Sequence, residues 1–284
     1  MSFTTLISSE QLAGHLEDSA WVVVDCRFSL ADPGAGERAY RAGHIPTARY
    51  AHLERDLSAP ATAGSGRHPL PQSEALIAVL GAWGVGHGSQ VVAYDDAGGA
   101  FAARLWWLLR SVGQQRAAVL DGGWSRWLQE GRPVTDVESA PRQAVFRAGP
   151  PLAAWLSTSQ LRAGLAQQAV CLLDARAAER FRGEMEPIDA VAGHVPGAVN
   201  RPFQDNLAAD GRFLSPDQLR RQFMQRLGRF RPEETVHMCG SGVTACHNLL
   251  AMEIAGLAGS RLYAGSWSEW ILDPARPVMR GASS

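Results

Sequence analysis

Of the four cysteines in the chain, Cys26, Cys171, Cys239 and Cys246, one stands where chemistry is possible. Cys239 follows the apolar run Val236-His237-Met238 and opens the segment Cys239-Gly240-Ser241-Gly242-Val243-Thr244-Ala245, after which a helical pattern runs from Thr244 to Ala255. A thiol attacks sulfur as its thiolate, and a helix N-terminus contributes roughly 0.3 to 2 kcal/mol toward a nearby anion. Hydrogen bonds to a charged group contribute about 1.5 to 3 kcal/mol each, so several loop amides converging on one sulfur outweigh the dipole. Gly240 and Gly242 allow the backbone to curl with its N–H groups inward, and the hydroxyls of Ser241 and Thr244 offer further donors. The alternative is a small buried hydrophobe ahead of a helix-capping turn, the ordinary fate of a cysteine. The Gly-Ser-Gly run directly after a strand favours the nucleophile. Cys246 is expected to pack in the core, and Cys26 and Cys171 on strands. No Cys-x-x-Cys pair or Cys/His cluster has zinc spacing, so no metal or cofactor is expected.

The elements that must position Cys239 emerge from an internal duplication. Val22-Val23-Val24-Asp25-Cys26-Arg27 answers Cys171-Leu172-Leu173-Asp174-Ala175-Arg176, and Ala42-Gly43-His44-Ile45-Pro46-Thr47-Ala48 answers Ala192-Gly193-His194-Val195-Pro196-Gly197-Ala198. Further on, Gln90 to Asp95 aligns with Glu234 to Cys239, and Leu120 to Trp127 with Tyr263 to Trp270. Asp95 thus occupies the place of the cysteine in the first copy. The order of the blocks divides the chain into a first domain over 1–138, a linker over 139–155 that contains Pro141-Arg142 and Pro150-Pro151, and a second domain over 156–284. Val22 to Asp25, Val91 to Tyr94 and Ala117 to Leu120 read as buried strands; Ser73 to Trp83 and Ala100 to Ser111 read as helices. Continuous apolar strands separated by helices predict an α/β fold of two tandem domains, each a parallel sheet with helices on both faces. In such sheets the loops at the carboxyl ends of the strands hold ligands, which is where Cys239 lies.

Composition narrows the function further. The chain has 284 residues, 46 % hydrophobic and 19 % charged, with 27 Lys and Arg against 28 Asp and Glu. That size suits two domains of roughly 140 residues. The balance of charge excludes a strongly basic or acidic partner, so neither nucleic acid nor an anionic membrane is expected. The start, Met1-Ser2-Phe3-Thr4-Thr5-Leu6-Ile7, lacks a basic and apolar leader, and no long apolar run follows, which predicts a cytoplasmic protein.

Taken together, the loop Cys239 to Ala245, the paired Gly-His-x-Pro motifs, Asp174-Ala175-Arg176, Pro202-Phe203, Ser215-Pro216 and Gly265-Ser266-Trp267-Ser268-Glu269-Trp270 resemble the tandem rhodanese and 3-mercaptopyruvate sulfurtransferase family. The resemblance covers nearly the whole chain. It implies two rhodanese-like domains with an active loop only in the second. The activity it implies is transfer of a sulfane sulfur from a small donor, through a persulfide on Cys239, to cyanide or a thiol. It carries substrate contacts onto Arg180, Gly240, Gly242, Val243, Thr244 and Phe28, with Phe101, Arg104 and Phe203 near the cleft. Of the family's Asp/His/Ser relay, Ser241 and His44 match. The aspartate position is Pro33, with Asp32 one place out of register. Histidines in Gly-His-x-Pro turns also serve to fix their own loops, and that role stays open for His44 and His194.

Donor choice is divided. A neutral loop resembles the mercaptopyruvate enzymes, whereas thiosulfate users carry basic residues straight after the cysteine, as a dianion would favour. The mercaptopyruvate enzymes also carry an arginine after a Glu-Pro pair, and here Glu186-Pro187 leads to Ile188. Mercaptopyruvate is the expected donor, with thiosulfate activity alongside; thiosulfate as main donor and a persulfide carrier without turnover are the alternatives. A phosphatase of related fold would need an arginine at Ala245 to grip phosphate, and none is there.

Overall fold

In the computed structural model, residues 2–140 and 143–282 are described; Pro141 and Arg142 of the expected linker lie outside them. The strands are β1 (Leu6–Ile7), β2 (Trp21–Asp25), β3 (Arg49–Tyr50), β4 (Gln90–Tyr94) and β5 (Ala117–Leu120), then β6 (Trp155–Leu156), β7 (Cys171–Asp174), β8 (Val199–Asn200), β9 (Thr235–Met238) and β10 (Arg261–Tyr263). They form two five-stranded sheets of identical plan, β1-β5-β4-β2-β3 and β6-β10-β9-β7-β8, with parallel pairing throughout. The expected α/β fold with two parallel sheets is present.

The central strands β2, β4, β7 and β9 are Val/Leu/Met-rich and buried along nearly their whole length, as strands covered on both faces must be. Each domain has its own core. Val23, Val92, Tyr94 and Trp127 anchor the first, and Leu172, Phe181, Val236 and Trp267 the second. Three helices start with a serine capping box, at Ser8, Ser157 and Ser215, in which the hydroxyl and a Gln side chain satisfy orphan amides reciprocally. The expected helix Ser73 to Trp83 is observed over Ser73–Ala82, and that from Ala100 over Ala102–Ser111, where Trp106 and Trp107 are buried.

The repeated sequence motifs repeat in structure. In the first sheet the Arg27 guanidinium pairs with Asp25 at 2.6 Å, donates to the Gly43 carbonyl at 2.7 Å and lies 4.5 Å over the Trp124 ring. In the second, Arg176 pairs with Asp174 at 2.7 Å, donates to Gly193 at 2.8 Å and lies 4.6 Å over Trp267. Each Asp-x-Arg thus ties a strand end to its Gly-His-x-Pro turn and to the Trp of the last helix. In each buried pair both carboxylate oxygens accept from the arginine, and its Nη2 bonds the turn as well, which helps offset the desolvation of both charges.

The compact units do not follow the halves of the chain strictly. One comprises the described residues of Met1–Ala59, Leu70–Leu152 and Ala208–Phe213; the other those of Pro60–Pro69, Ala153–Leu207 and Leu214–Ser284. A ten-residue stretch of the first half, Pro60–Pro69, therefore belongs to the body that carries Cys239.

Candidate active site

β9 ends at Met238, and the helix Ala245–Ile254 begins six residues beyond Cys239 on the far side of the loop. The turn before the last helix shapes that loop. The N–H groups of Trp267 and Ser268 donate to the carbonyls of Cys239 and Gly240 at 3.0 and 2.8 Å, and Cys239 N–H donates to Ser266 Oγ at 3.1 Å. With those carbonyls committed outward, loop amides are left to face the sulfur, and Gly242 N–H donates to Cys239 Sγ at 3.1 Å. Gly242 has φ +78°, and a Cβ there would collide with the Ala264 carbonyl oxygen, so both conformation and space require glycine. Behind the loop, Cys246 Sγ donates to the Gly242 carbonyl at 3.4 Å from a fully buried position. Val243 is buried, and Thr244 is half-buried at the helix start with no side-chain capping bond. All four cysteines are free thiols.

Cys239 itself is 1 % exposed, a recessed thiol. Ser241, two residues on, is joined to His68 by a hydrogen bond of 2.7 Å between Oγ and Nδ1. The histidine at the serine is therefore His68, and the expectation for His44 is corrected. His44 Nδ1 is engaged by the Tyr40 carbonyl at 2.8 Å, its ring stacks on Tyr40, and it is fully buried. His194 repeats this with Phe181, so both Gly-His-x-Pro histidines fix their own loops. Asp32 pairs with Arg38, both largely exposed. Phe28 is buried edge-on against His52 and Phe101 in the first domain. His68 lies in Gly64-Ser65-Gly66-Arg67-His68-Pro69, a Gly/Pro-punctuated stretch that reads as a connection. It has no counterpart in the repeat to mark it, and a lone histidine in a polar loop was the sole available signal.

Arg180 sits on the short helix Ala178–Arg182, its guanidinium gripped by Glu186 through Nε at 3.0 Å and Nη2 at 2.6 Å and by Asp189 at 3.0 Å. Both of its Nη atoms stand 3.7 Å from where a Cβ of Gly240 would be, and Arg67 Nη2 stands 3.1 Å from the same point. The positive charge that the loop sequence lacks is thus delivered from outside it. Ile188 is 44 % exposed, while its N–H and that of Asp189 donate to Glu186 at 3.1 Å.

Comparison with known proteins agrees with this geometry. Residues 8–130 and 157–273 each match the Rhodanese-like domain family. A probable 3-mercaptopyruvate sulfurtransferase of Pseudomonas aeruginosa is 52 % identical over 284 residues, 99 % of this chain and 100 % of that protein. A putative thiosulfate sulfurtransferase of Mycobacterium tuberculosis is 40 % identical over 98 % of both chains. Among solved structures, a 3-mercaptopyruvate sulfurtransferase from Leishmania major superposes with a TM-score of 0.82 at 32 % identity, covering 94 % of this chain and 74 % of that one. With two matched domains and this identity across almost its full length, the chain belongs to the rhodanese family, among its two-domain sulfurtransferases.

Proposed function

We propose that this protein takes sulfur from 3-mercaptopyruvate as a persulfide on Cys239 and passes it to a thiol or cyanide, with thiosulfate a slower donor. The Cys239 thiolate attacks the donor's sulfur. The carbon–sulfur bond breaks, and its electron pair stays on the carbon, which must gain a proton to leave as pyruvate. The donor's own thiol proton balances that step. The acceptor then attacks the outer sulfur and returns Cys239 as thiolate. The loop amide at Sγ stabilises the negative sulfur in both halves of the cycle.

The observation that carries the choice of donor is the Ser241–His68 hydrogen bond beside the nucleophile. Cleavage of thiosulfate releases sulfite, a stable anion that needs no proton. Cleavage of mercaptopyruvate leaves a carbanion equivalent, for which a Ser-His pair offers a path from sulfur to carbon; general acid–base assistance of this kind contributes about 10²- to 10⁴-fold. Four free cysteines suit a reducing compartment, which supports a cytoplasmic location.

Steady-state kinetics with both donors test the reading. His68→Asn and Ser241→Ala are expected to lower kcat with mercaptopyruvate by about 10²-fold or more and to leave thiosulfate turnover within a few-fold. A wild-type kcat/KM at least tenfold higher for thiosulfate, or equal losses with both donors, would reject mercaptopyruvate as the donor.

A further inference from the structure

The family arginine expected after Glu186-Pro187 is Ile188, yet the loop is not short of guanidinium groups. Gly66 lies flat against the turn beside the loop, where a Cβ would come within 2.6 Å of the Gly265 carbonyl oxygen. Next to it, Arg67 N–H donates to Ser268 Oγ at 3.1 Å. Ser268 in turn donates its own N–H to the Gly240 carbonyl at 2.8 Å, so Arg67 is anchored one residue away from the active loop. Its side chain is consequently fixed at both ends, at the backbone and by an ion pair from Nη1 to Asp189.

Asp189, 2 % exposed at its side chain, also binds Arg180 Nη2 at 3.0 Å. One buried carboxylate therefore holds two guanidinium groups side by side, against their mutual repulsion. Their remaining donors are unspent. Among the described residues Arg180 Nη1 and Arg67 Nη2 have no hydrogen-bond acceptor, and Arg67 Nε is buried with none. Both groups face Gly240, the residue that follows the nucleophile. A planar anion is what two forks with free N–H edges recognise, and a carboxylate matches them in charge and shape.

We infer that Arg67 is a specificity-determining residue, which with Arg180 clamps the carboxylate of the 2-oxo-3-mercapto acid donor in place of the arginine missing at Ile188. The inference rests on the donor assignment above. It is nevertheless separable from it, because the clamp recognises the acid end of the molecule and not its sulfur.

The test uses the full chain and its Arg67→Met variant, which keeps the length of the side chain while removing the charge. KM for 3-mercaptopyruvate is expected to rise about 10- to 100-fold with kcat within a few-fold, the signature of lost binding of the remote end. KM for thiosulfate is expected to rise less. Arg67→Met combined with Ile188→Arg should recover part of the loss. Binding of pyruvate, which has the carboxylate and ketone but no transferable sulfur, should weaken by a similar factor in Arg67→Met. Unchanged pyruvate binding and unchanged KM would overturn the clamp even in an efficient mercaptopyruvate enzyme. An equal fall in kcat with both donors would also overturn it, since that outcome describes a residue that merely holds the loop. A wild-type protein inert toward mercaptopyruvate whose pyruvate binding still depends on Arg67 would reject the donor and uphold the clamp.

Discussion

After β4 the carbonyl of Asp95 accepts the N–H of Trp124 at 2.8 Å, and after β9 the carbonyl of Cys239 accepts that of Trp267 at 3.0 Å. From this shared start the two loops diverge. In the first, the Asp95 side chain turns into its own loop and accepts four backbone N–H groups, from Ala97 and Gly99 on Oδ1 and from Phe101 and Ala102 on Oδ2, at 2.8 to 2.9 Å. In the second, Cys239 Sγ faces the Gly242 amide at 3.1 Å, and His68, Arg67 and Arg180 gather around the same loop. A strand end followed by a curled loop and a helix makes an anion cradle in either copy. On the proposed function, what decides the chemistry is whether the chain fills the cradle with a carboxylate that cannot leave or with a sulfur that can carry cargo.

The largest expected effect separates the loops by activity. Cys239→Ala should lower sulfur transfer by about 10⁴-fold or more, because on the proposed function the covalent intermediate forms on this sulfur. Intact mass after treatment with donor should rise by one sulfur in the wild type and not in this variant. Asp95→Ala should keep kcat within a few-fold. If Asp95→Ala lost as much activity as Cys239→Ala, or if the cysteine variant still gained sulfur, the contrast between filled and open cradle would collapse.

The next effect reverses the order and concerns stability. Removing the Asp95 carboxylate leaves four amides without that acceptor, two of them buried, and breaking one side of such a charge-assisted network costs about 3 to 5 kcal/mol. Cys239→Ala removes one weak acceptor and should cost about 1 to 2 kcal/mol by lost packing. Denaturant unfolding of both variants measures the difference. Burial pushes the Asp95 carboxyl up while its four amide bonds pull it back, so Asp95→Asn, which keeps an acceptor oxygen, should recover part of the loss.

Much of this contrast was legible in the sequence, for a physical reason. Strand periodicity, the Asp-x-Arg and Gly-His-x-Pro motifs and the Gly-rich loop are local patterns, and each is tied to one backbone geometry that repeats in the other copy. Ala117 to Leu120 was readable to the residue because a four-residue apolar run between polar ends has one register. The places of Cys239 and Arg180 at the loop were readable because a motif flanks each. His68 and Arg67 were not. They reach the loop through a non-local return of Pro60–Pro69, held by Gly66 against Gly265 and by Arg67 to Ser268. Nothing in the periodicity of a Gly/Ser/Pro stretch encodes such a docking. His44 lies in a recognisable motif, and that motif holds its own turn through the Tyr40 carbonyl.

A third expectation compares β9 with β4 in the middle of the sheets. His237 in β9 stands where β4 has Ala93, and burial together with nearby Arg201 pushes its imidazole down to about 3. It contacts Met252 Sδ at 3.1 Å and is fully buried. The unfolded chain titrates its histidine near 6.5, so above that pH the group costs nothing. As pH falls below about 6.5 the unfolded state binds a proton that the folded state refuses, and about 1.4 kcal/mol of stability is lost per pH unit until about pH 3. At pH 5 that amounts to about 2 kcal/mol. His237→Leu should flatten the difference in unfolding free energy between pH 7 and pH 5 by this amount; an unchanged difference would show that His237 accepts a proton in the folded state.

The smallest effect lies in the two Gly-His-x-Pro turns, which share a left-handed residue but not its type. Thr47 has φ +68° and its counterpart Gly197 φ +80°. A β-branched residue in that region costs about 1 to 2 kcal/mol, and glycine escapes the cost because it has no Cβ. Gly197 has open space where a Cβ would go, so any loss in Gly197→Thr comes from the backbone and not from a clash. That variant should lose about 0.5 kcal/mol, because replacing glycine also restricts the unfolded chain and offsets part of the strain. Thr47→Gly gains the same relief but gives up part of it, because glycine frees the unfolded chain by roughly 0.5 to 1 kcal/mol. It should therefore be stabilised by about 0.5 kcal/mol, or about 2 °C in Tm, matching the loss in the reverse exchange because the unfolded-state difference enters both with opposite sign. Shifts of clearly unequal size would mean that one of the two turns relaxes around its threonine. A loss in Thr47→Gly would mean that the threonine side chain makes a contact worth more than the strain it carries.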